Sequence, residues 1–275
     1  MLCWICQKRK ANSSEHKFKS SLLKRMHGKI FTEEITYVLD KKELRLEGPN
    51  NKKAKFPKVI CEQCNNSETY SHDQAFDKLI IWSNKNFDKM SLTRTLDFEE
   101  IYGDNWQESK INLLKYLAKH AGCKIATAQI DNDVSKLSDL IYRNKSTNTF
   151  QIKFLVKEAF YYLDLVLQHR DERKLKFISN SSTIFRNRGN NKTAYFGGMT
   201  TYNWLSIAWV HSQNNFITRF DGFTKQKEDI QFLPFEDLPE IGTNKQWIEF
   251  IDSQGIETLE DQMNFYDPFI ENLNQ

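Results

Sequence analysis

Four of the five cysteines stand in two pairs, Cys3-x-x-Cys6 and Cys61-x-x-Cys64. At this spacing the two thiolates of one tight turn reach a single tetrahedral ion, and four sulfurs at roughly 2.3 Å suit zinc. Soft thiolates also select zinc over magnesium or calcium. The opening Met-Leu-Cys-Trp-Ile-Cys has no apolar run followed by a small-residue cleavage site. The pairs therefore read as metal ligands rather than disulfides, and the chain as cytoplasmic. Lys8, Arg9 and Lys10 favour the ionised thiolates. A closed four-thiolate site leaves no position for a water, so its role is structural: it clips the N-terminus to the segment before a helix. Cys123 stands alone and reads as a small buried hydrophobe.

Catalysis needs other groups, and three lie beside the cysteines. Glu15-His16 follows the first pair, and Asn65 follows Cys64 directly. Drawing the pairs together brings a carboxylate, an imidazole and a side-chain amide into one small region. Each residue taken singly has a plainer role. His16 suits a surface or structural histidine, Asn65 a helix N-cap, and Glu68, one turn beyond Asn65, a solvated acid.

The order Cys-x-x-Cys, Glu-His, Cys-x-x-Cys-Asn over roughly residues 1–82 resembles the HNH, or ββα-metal, endonuclease superfamily in its four-cysteine form. The resemblance implies an N-terminal ββα-metal zinc-knuckle domain at 1–85 with His16 as general base. It implies Glu15 and Asn65 as ligands of a catalytic magnesium or manganese ion; Glu68, one turn after Asn65, is placed either to reach that ion directly or through water or to remain a solvated surface acid. The implied reaction is hydrolysis of DNA phosphodiesters to 5′-phosphate and 3′-hydroxyl ends, in phage defence or a mobile element. The commoner family pattern has Asp-His and a helical histidine where this chain has Glu15 and Asn65. A non-catalytic zinc module that binds DNA or a protein is the competing reading, and RNA is the competing substrate.

Charge agrees with a polyanionic partner. Residues 1–60 hold 15 Lys/Arg against 6 Asp/Glu, leaving 24 of the 39 Lys/Arg and 30 of the 36 Asp/Glu for the rest. The overall +3 thus hides a basic front end. Lys17, Lys19, Lys24, Arg25 and Lys29 follow the Glu15-His16 step and are expected to meet phosphates, in a way that is blind to sequence and weakened by salt.

The remaining composition is that of a globular protein with ample core: 39% hydrophobic, 27% charged, 20 Phe, 10 Tyr and 6 Trp. The most apolar stretch, Phe154 to Leu167, carries Lys157, Glu158 and Asp164, so no membrane span is expected. Neither a phosphate-binding Gly-x-x-x-x-Gly-Lys-Ser/Thr loop nor a Gly-x-Ser-x-Gly elbow occurs.

The elements that must position these residues are read from periodicity. Thr36–Leu39 and Glu43–Leu46 suggest short strands, and Ala75, Phe76, Leu79 and Ile80 suggest a helix from about Asn65 to Trp82. The polar stretch 83–108 is expected to hold a domain boundary. Ile111, Leu114, Leu117, Ala118 and Ala121 share a helical face that Gly122 should cap. A second helix is expected from about Phe150 to Gln168, strands from Leu175 through Phe220, and a helix over 245–265. The whole reads as α+β, with a larger α+β domain at 105–275. That part is expected to recognise the target, regulate, or associate as a homodimer or with a partner protein.

Overall fold

The computed structural model describes residues 1–31, 35–39, 42–128, 134–143, 149–158, 178–186, 193–212 and 225–233, together with 145, 160, 161, 164 and 176. The architecture is α+β. Helix α1 (Ser20–His27) and the antiparallel hairpin β1 (Ile35–Leu39) and β2 (Lys42–Leu46) come first. Helices α2 (Glu62–Asn66), α3 (Tyr70–Lys85) and α4 (Phe87–Thr93) follow, then β3 (Thr95–Asp97) and α5 (Phe98–Tyr102). The long α6 (Trp106–Ala128) and α7 (Ser135–Tyr142) precede β4 (Phe150–Lys157), β5 (Ile178–Arg186), β6 (Thr193–Tyr202), β7 (Leu205–Ser212) and β8 (Lys227–Leu233). The last five strands and β3 form one sheet in the order β3-β8-β4-β7-β6-β5, antiparallel except where β4 runs parallel to β8. Among the described residues no helix is long and apolar enough to cross a membrane.

Three expectations change. The helix expected over 65–82 is broken: α2 ends at Asn66, and α3 begins at Tyr70 after an intervening turn. The face read for α3 is right, with Ala75, Phe76, Leu79 and Ile80 buried. Of the helix expected over 150–168, Phe150–Lys157 is strand β4, with Phe150, Phe154 and Val156 buried between β7 and β8, while Glu158, Phe160, Tyr161 and Asp164 are helical. Short apolar runs carry no helix-or-strand signature of their own, and here the sheet decides. Gly122 lies inside α6 rather than capping it. A Cβ there would stand 2.2 Å from the Trp4 ring, so this glycine lets the indole of the N-terminal turn lie against the helix backbone. The helix expected over 245–265 and the strand over 216–220 lie outside the described residues.

One continuous cluster of buried apolar side chains runs from Cys3 and Trp4 through Phe76, Leu79, Tyr116 and Leu117 to Phe154, Ile207 and Ile230. The stretch 83–108, polar in composition, contributes Phe87, Met90, Leu96, Phe98 and Ile101 to this cluster. Its polar residues face outward between them, as amphipathic helices require. Helix α6 is the spine. It stacks Tyr116 on Phe76 of α3 at 4.1 Å between ring centroids. It also sends Lys110 Nζ to Glu228 Oε1 of β8 at 2.7 Å. Fourteen successive or near-successive residues, Lys110 to Ile125, are buried apart from Ile111 and Asn112. A helix enclosed on most sides cannot direct its lysines to water, so each must find a partner inside.

A thiolate centre beside a buried lysine–carboxylate cluster

The two cysteine pairs meet because the chain between them returns as a short antiparallel ladder. Ser13 bridges Ile60 and His16 bridges Lys55. Lys17 N donates to Ala54 O and Phe56 N donates to Glu15 O, both at 2.8 Å. The first turn closes with Gln7 N on Cys3 O at 2.8 Å, and Gln7 itself takes the left-handed φ of 54°. Trp4 N donates to Val59 O across to the second pair. There Cys61 is the N-cap of α2, its sulfur accepting from Cys64 N.

The four Sγ atoms lie within 4.8 Å of one another, all in buried residues, with Cys6 and Cys61 sulfurs 3.9 Å apart. A tetrahedral ion with bonds of roughly 2.3 Å has sulfurs roughly 3.8 Å apart, so the site can hold a metal ion such as zinc. Charge supports the same conclusion. A hydrogen bond from Cys64 brings the Cys3 thiol down to about 4 and pushes Cys64 well above the ordinary thiol range. Four adjacent sulfurs ionise together only around a cation. Arg9 braces the outside, its Nη2 lying 3.7 Å from Cys64 Sγ and 2.8 Å from Glu68 Oε1.

The three other groups are close in sequence to this centre yet differ in where they point. Glu15 is 7% exposed and faces α6. Its Oε2 pairs with Lys119 Nζ at 2.6 Å, and its Oε1 accepts from His16 N at 3.1 Å. Burial alone would raise this carboxyl, but Lys119 and then His120 hold it below the usual range. His16 is half-buried, and its Nε2 has no hydrogen-bond partner. Burial and then the positive charge of Lys55 lower its imidazole, against the opposing pull of Glu15, so the ring is neutral near pH 7. Asn65 donates from Nδ2 to Ser13 Oγ at 2.9 Å and to Ser14 O at 3.3 Å. It braces the ladder instead of capping the helix. Glu68 is taken by Arg9.

Glu15, Asn65 and Glu68 are thus each held by a different partner. As a ligand set they do not fit a catalytic magnesium or manganese ion in this arrangement, because both carboxylates are already paired, Glu15 with Lys119 and Glu68 with Arg9.

What sequence reasoning missed is the cluster around that lysine. Lys119 is fully buried, and its Nζ donates to Thr69 Oγ1 at 3.1 Å and lies 3.4 Å from Asp73 Oδ2. His120 Nε2, also buried, stands 3.9 Å from Glu15 Oε1. Burial would lower Lys119, but Glu15 and Asp73 outweigh it and keep the ammonium charged. The signal in the sequence was weak: Lys115, Lys119 and His120 sit among Leu114, Leu117, Ala118 and Ala121 on a helix with little room for a solvated face.

The expected phosphate-binding residues divide. Lys24, Arg25 and Lys29 are exposed at and beyond the end of α1. Lys17 is half-buried, its Nζ 3.4 Å from Lys53 O. Lys19 turns inward: it pairs with Asp77 at 3.1 Å and lies over the Tyr116 ring at 5.3 Å. Lys52, Lys53 and Lys58 add exposed charge beside the ladder. Comparison of the chain with protein-family models, with curated proteins and with solved structures found no match.

Proposed function

We propose that the chain is an HNH-type endonuclease that hydrolyses DNA phosphodiesters, with zinc in the four-thiolate centre and His16 as general base. The observation that carries this reading is the His16 imidazole. Burial and then Lys55 lower it, its Nε2 is enclosed without a hydrogen-bond partner, and it is anchored on a ladder clipped by the cysteines and bordered by basic side chains. A neutral imidazole takes a proton from water near working pH, and such a base contributes typically about 10²–10⁴-fold. The water oxygen forms the new bond to phosphorus as the bond to the 3′ oxygen breaks. That oxygen leaves with a solvent proton as a 3′-hydroxyl, and the other end keeps the phosphate. Lys24, Arg25, Lys29, Lys52 and Lys53 supply salt-sensitive, sequence-blind attraction to the backbone.

A second reading is favoured by one specific observation, the Glu15–Lys119 pair. With its carboxylate already neutralised, the same scaffold suits a non-catalytic zinc-dependent DNA-binding module.

Plasmid cleavage separates the two. Under the nuclease reading the wild-type chain nicks or linearises supercoiled DNA in assays run with and without magnesium or manganese. His16→Ala then abolishes cutting while retaining zinc and DNA affinity. Retarded migration of DNA without cleavage, identical in both proteins at every metal concentration, establishes the binding module instead.

A further inference from the structure

We propose that the cavity between α3, α6 and α7 binds the phosphomonoester group of a small hydroxylated metabolite, a sugar phosphate or a mononucleotide.

The cavity has a volume of about 640 Å³, within the range of small-molecule sites. The start of α3 lines it with Ser71 and His72, and α6 adds Glu108, Asn112 and Lys115. Ile5 of the first cysteine turn and the end of α7 complete the wall. A wall of hydroxyl, amide, imidazole and charged groups suits a polar ligand.

Donors for an anion come from two helices. Helix α3 is 16 residues long, and no side chain caps its N-terminus. Its N-cap, Thr69, directs its hydroxyl to Cys64 O at 2.8 Å, with Asn65 O at 3.1 Å. The positive end of α3 is therefore left to another acceptor, and the backbone N–H groups of such an end bind phosphate. From α6, Lys115 brings an ammonium into the same wall although it is only 8% exposed. Burial lowers that ammonium, and Glu108 opposes the shift. His72 supplies the independent sign of a ligand. It is 4% exposed, and its Nδ1 is enclosed without a hydrogen-bond partner. Burial, then Lys115 and Lys119, push this imidazole down to about 3, so the ring is neutral and carries one N–H to offer. An enclosed polar atom without a partner is costly, and a ligand oxygen supplies one.

Backbone amides, a hydroxyl, an ammonium and an imidazole suit phosphate better than carboxylate, because phosphate presents three acceptor oxygens. The acids of the wall define the rest of the ligand. Glu68 is taken by Arg9 at 2.8 Å, which leaves Glu108 and the Asn112 amide oxygen to accept from hydroxyl groups. Inorganic phosphate alone would leave most of the volume unfilled. The lining includes Glu68 but neither Glu15, His16 nor Asn65, so the inference does not depend on the nuclease reading.

The test is calorimetric titration of the zinc-loaded full chain with glucose 6-phosphate and with AMP. Glucose, adenosine, inorganic phosphate and glutamate serve as controls. One of the two phosphomonoesters is expected to bind at one per chain, at least about tenfold more tightly than every control. The tighter of the two separates a sugar-phosphate site from a nucleotide site. Ser71→Glu sets a carboxylate at an exposed position in the first turn of α3, where the helix dipole favours it, so the fold is kept. It should weaken phosphomonoester binding at least about tenfold with an undiminished thermal midpoint. Lys115→Met should weaken binding likewise, and where that variant is poorly folded Ser71→Glu decides alone. Affinity for both phosphomonoesters no better than for inorganic phosphate overturns the proposal. So does equal binding by wild type and Ser71→Glu, or binding of glutamate in place of the phosphates.

Discussion

Two places in this molecule clip the N-terminal segment to what lies behind it, and they do so with opposite charge logic. The thiolate centre gathers four groups of one kind, Cys3, Cys6, Cys61 and Cys64, that repel one another when ionised. Nine positions beyond Cys6, Glu15 joins a cluster in which Lys119 brings its own positive charge from within the protein. The first can hold an ion, and the binding energy of such an ion becomes folding energy. The second is complete as it stands, and its energy depends on whether a buried ammonium and two carboxylates offset the cost of leaving water. One region is therefore sensitive to chelators, the other to mutation of either partner. Trp4, packed on Gly122, joins the two mechanically.

The largest effect should come from the ion-dependent side. Cys61→Ala is expected to abolish zinc binding and unfold the N-terminal segment, since structural zinc sites contribute on the order of 10 kcal/mol. Metal content and near-ultraviolet circular dichroism read this out; a zinc-free Cys61→Ala with an unchanged spectrum would dissolve the contrast between the two regions. Next comes the self-sufficient side. Lys119→Ala should cost about 3–5 kcal/mol in metal-free buffer by leaving Glu15 unpaired. Glu15→Gln/Lys119→Met should recover most of it in denaturant titrations, and equal losses in both would mean that shape, not charge, holds this cluster.

The joint between them should give a smaller effect. Gly122→Ala places a methyl against the Trp4 ring, a clash expected to cost about 1–3 kcal/mol. Its thermal midpoint should fall with or without zinc. A Gly122→Ala protein as stable as wild type would separate the thiolate turn from α6. The smallest effect sharpens the charge comparison on the same helix. Lys124, 2.6 Å from Ser181 O and without a carboxylate partner among the described residues, is pushed down by burial to about 7, whereas Lys119 is raised by its acids. Unfolded, Lys124 binds its proton up to its ordinary value near 10.5, so between about 7 and 10.5 the unfolded state holds more protons. Lys124 therefore adds a rise in stability with pH across that window and a penalty below it. Lys124→Met should flatten the rise in thermal midpoint between pH 7 and 9.5, and an unchanged slope would show that this ammonium is paired after all.

The contrast also explains what was legible in the chain. Cys-x-x-Cys is short-range geometry: three positions apart on one turn, the sulfurs can hardly avoid one another, and the ladder between the two pairs brings the turns together. The short strands Ile35–Leu39 and Lys42–Leu46 and the buried face of α3 were equally local readings. Of the helix read over 150–168, Phe150–Lys157 is strand β4, where the mixed apolar and polar run shows no clear helical or strand period, whereas Glu158, Phe160, Tyr161 and Asp164 are helical as read. Gly122 was misread as a cap because its use depends on Trp4, distant in sequence. Lys19 was assigned to phosphates along with Lys24 and Arg25, yet only the position of Asp77 and Tyr116 tells them apart.

Residue types and spacing alone thus determined the grouping of the four cysteines, the basic front end, the mixed α+β class and the nomination of Glu15, His16 and Asn65. Only the folded chain decided that Glu15 faces α6, that Asn65 braces Ser13 and Ser14, and that His16 keeps an unbonded nitrogen. The physical reason is that local spacing sets which atoms are near one another along the backbone, whereas burial and counter-charge come from whichever distant element packs over them. For Glu15 that element is α6, carrying Lys119 from more than a hundred residues away.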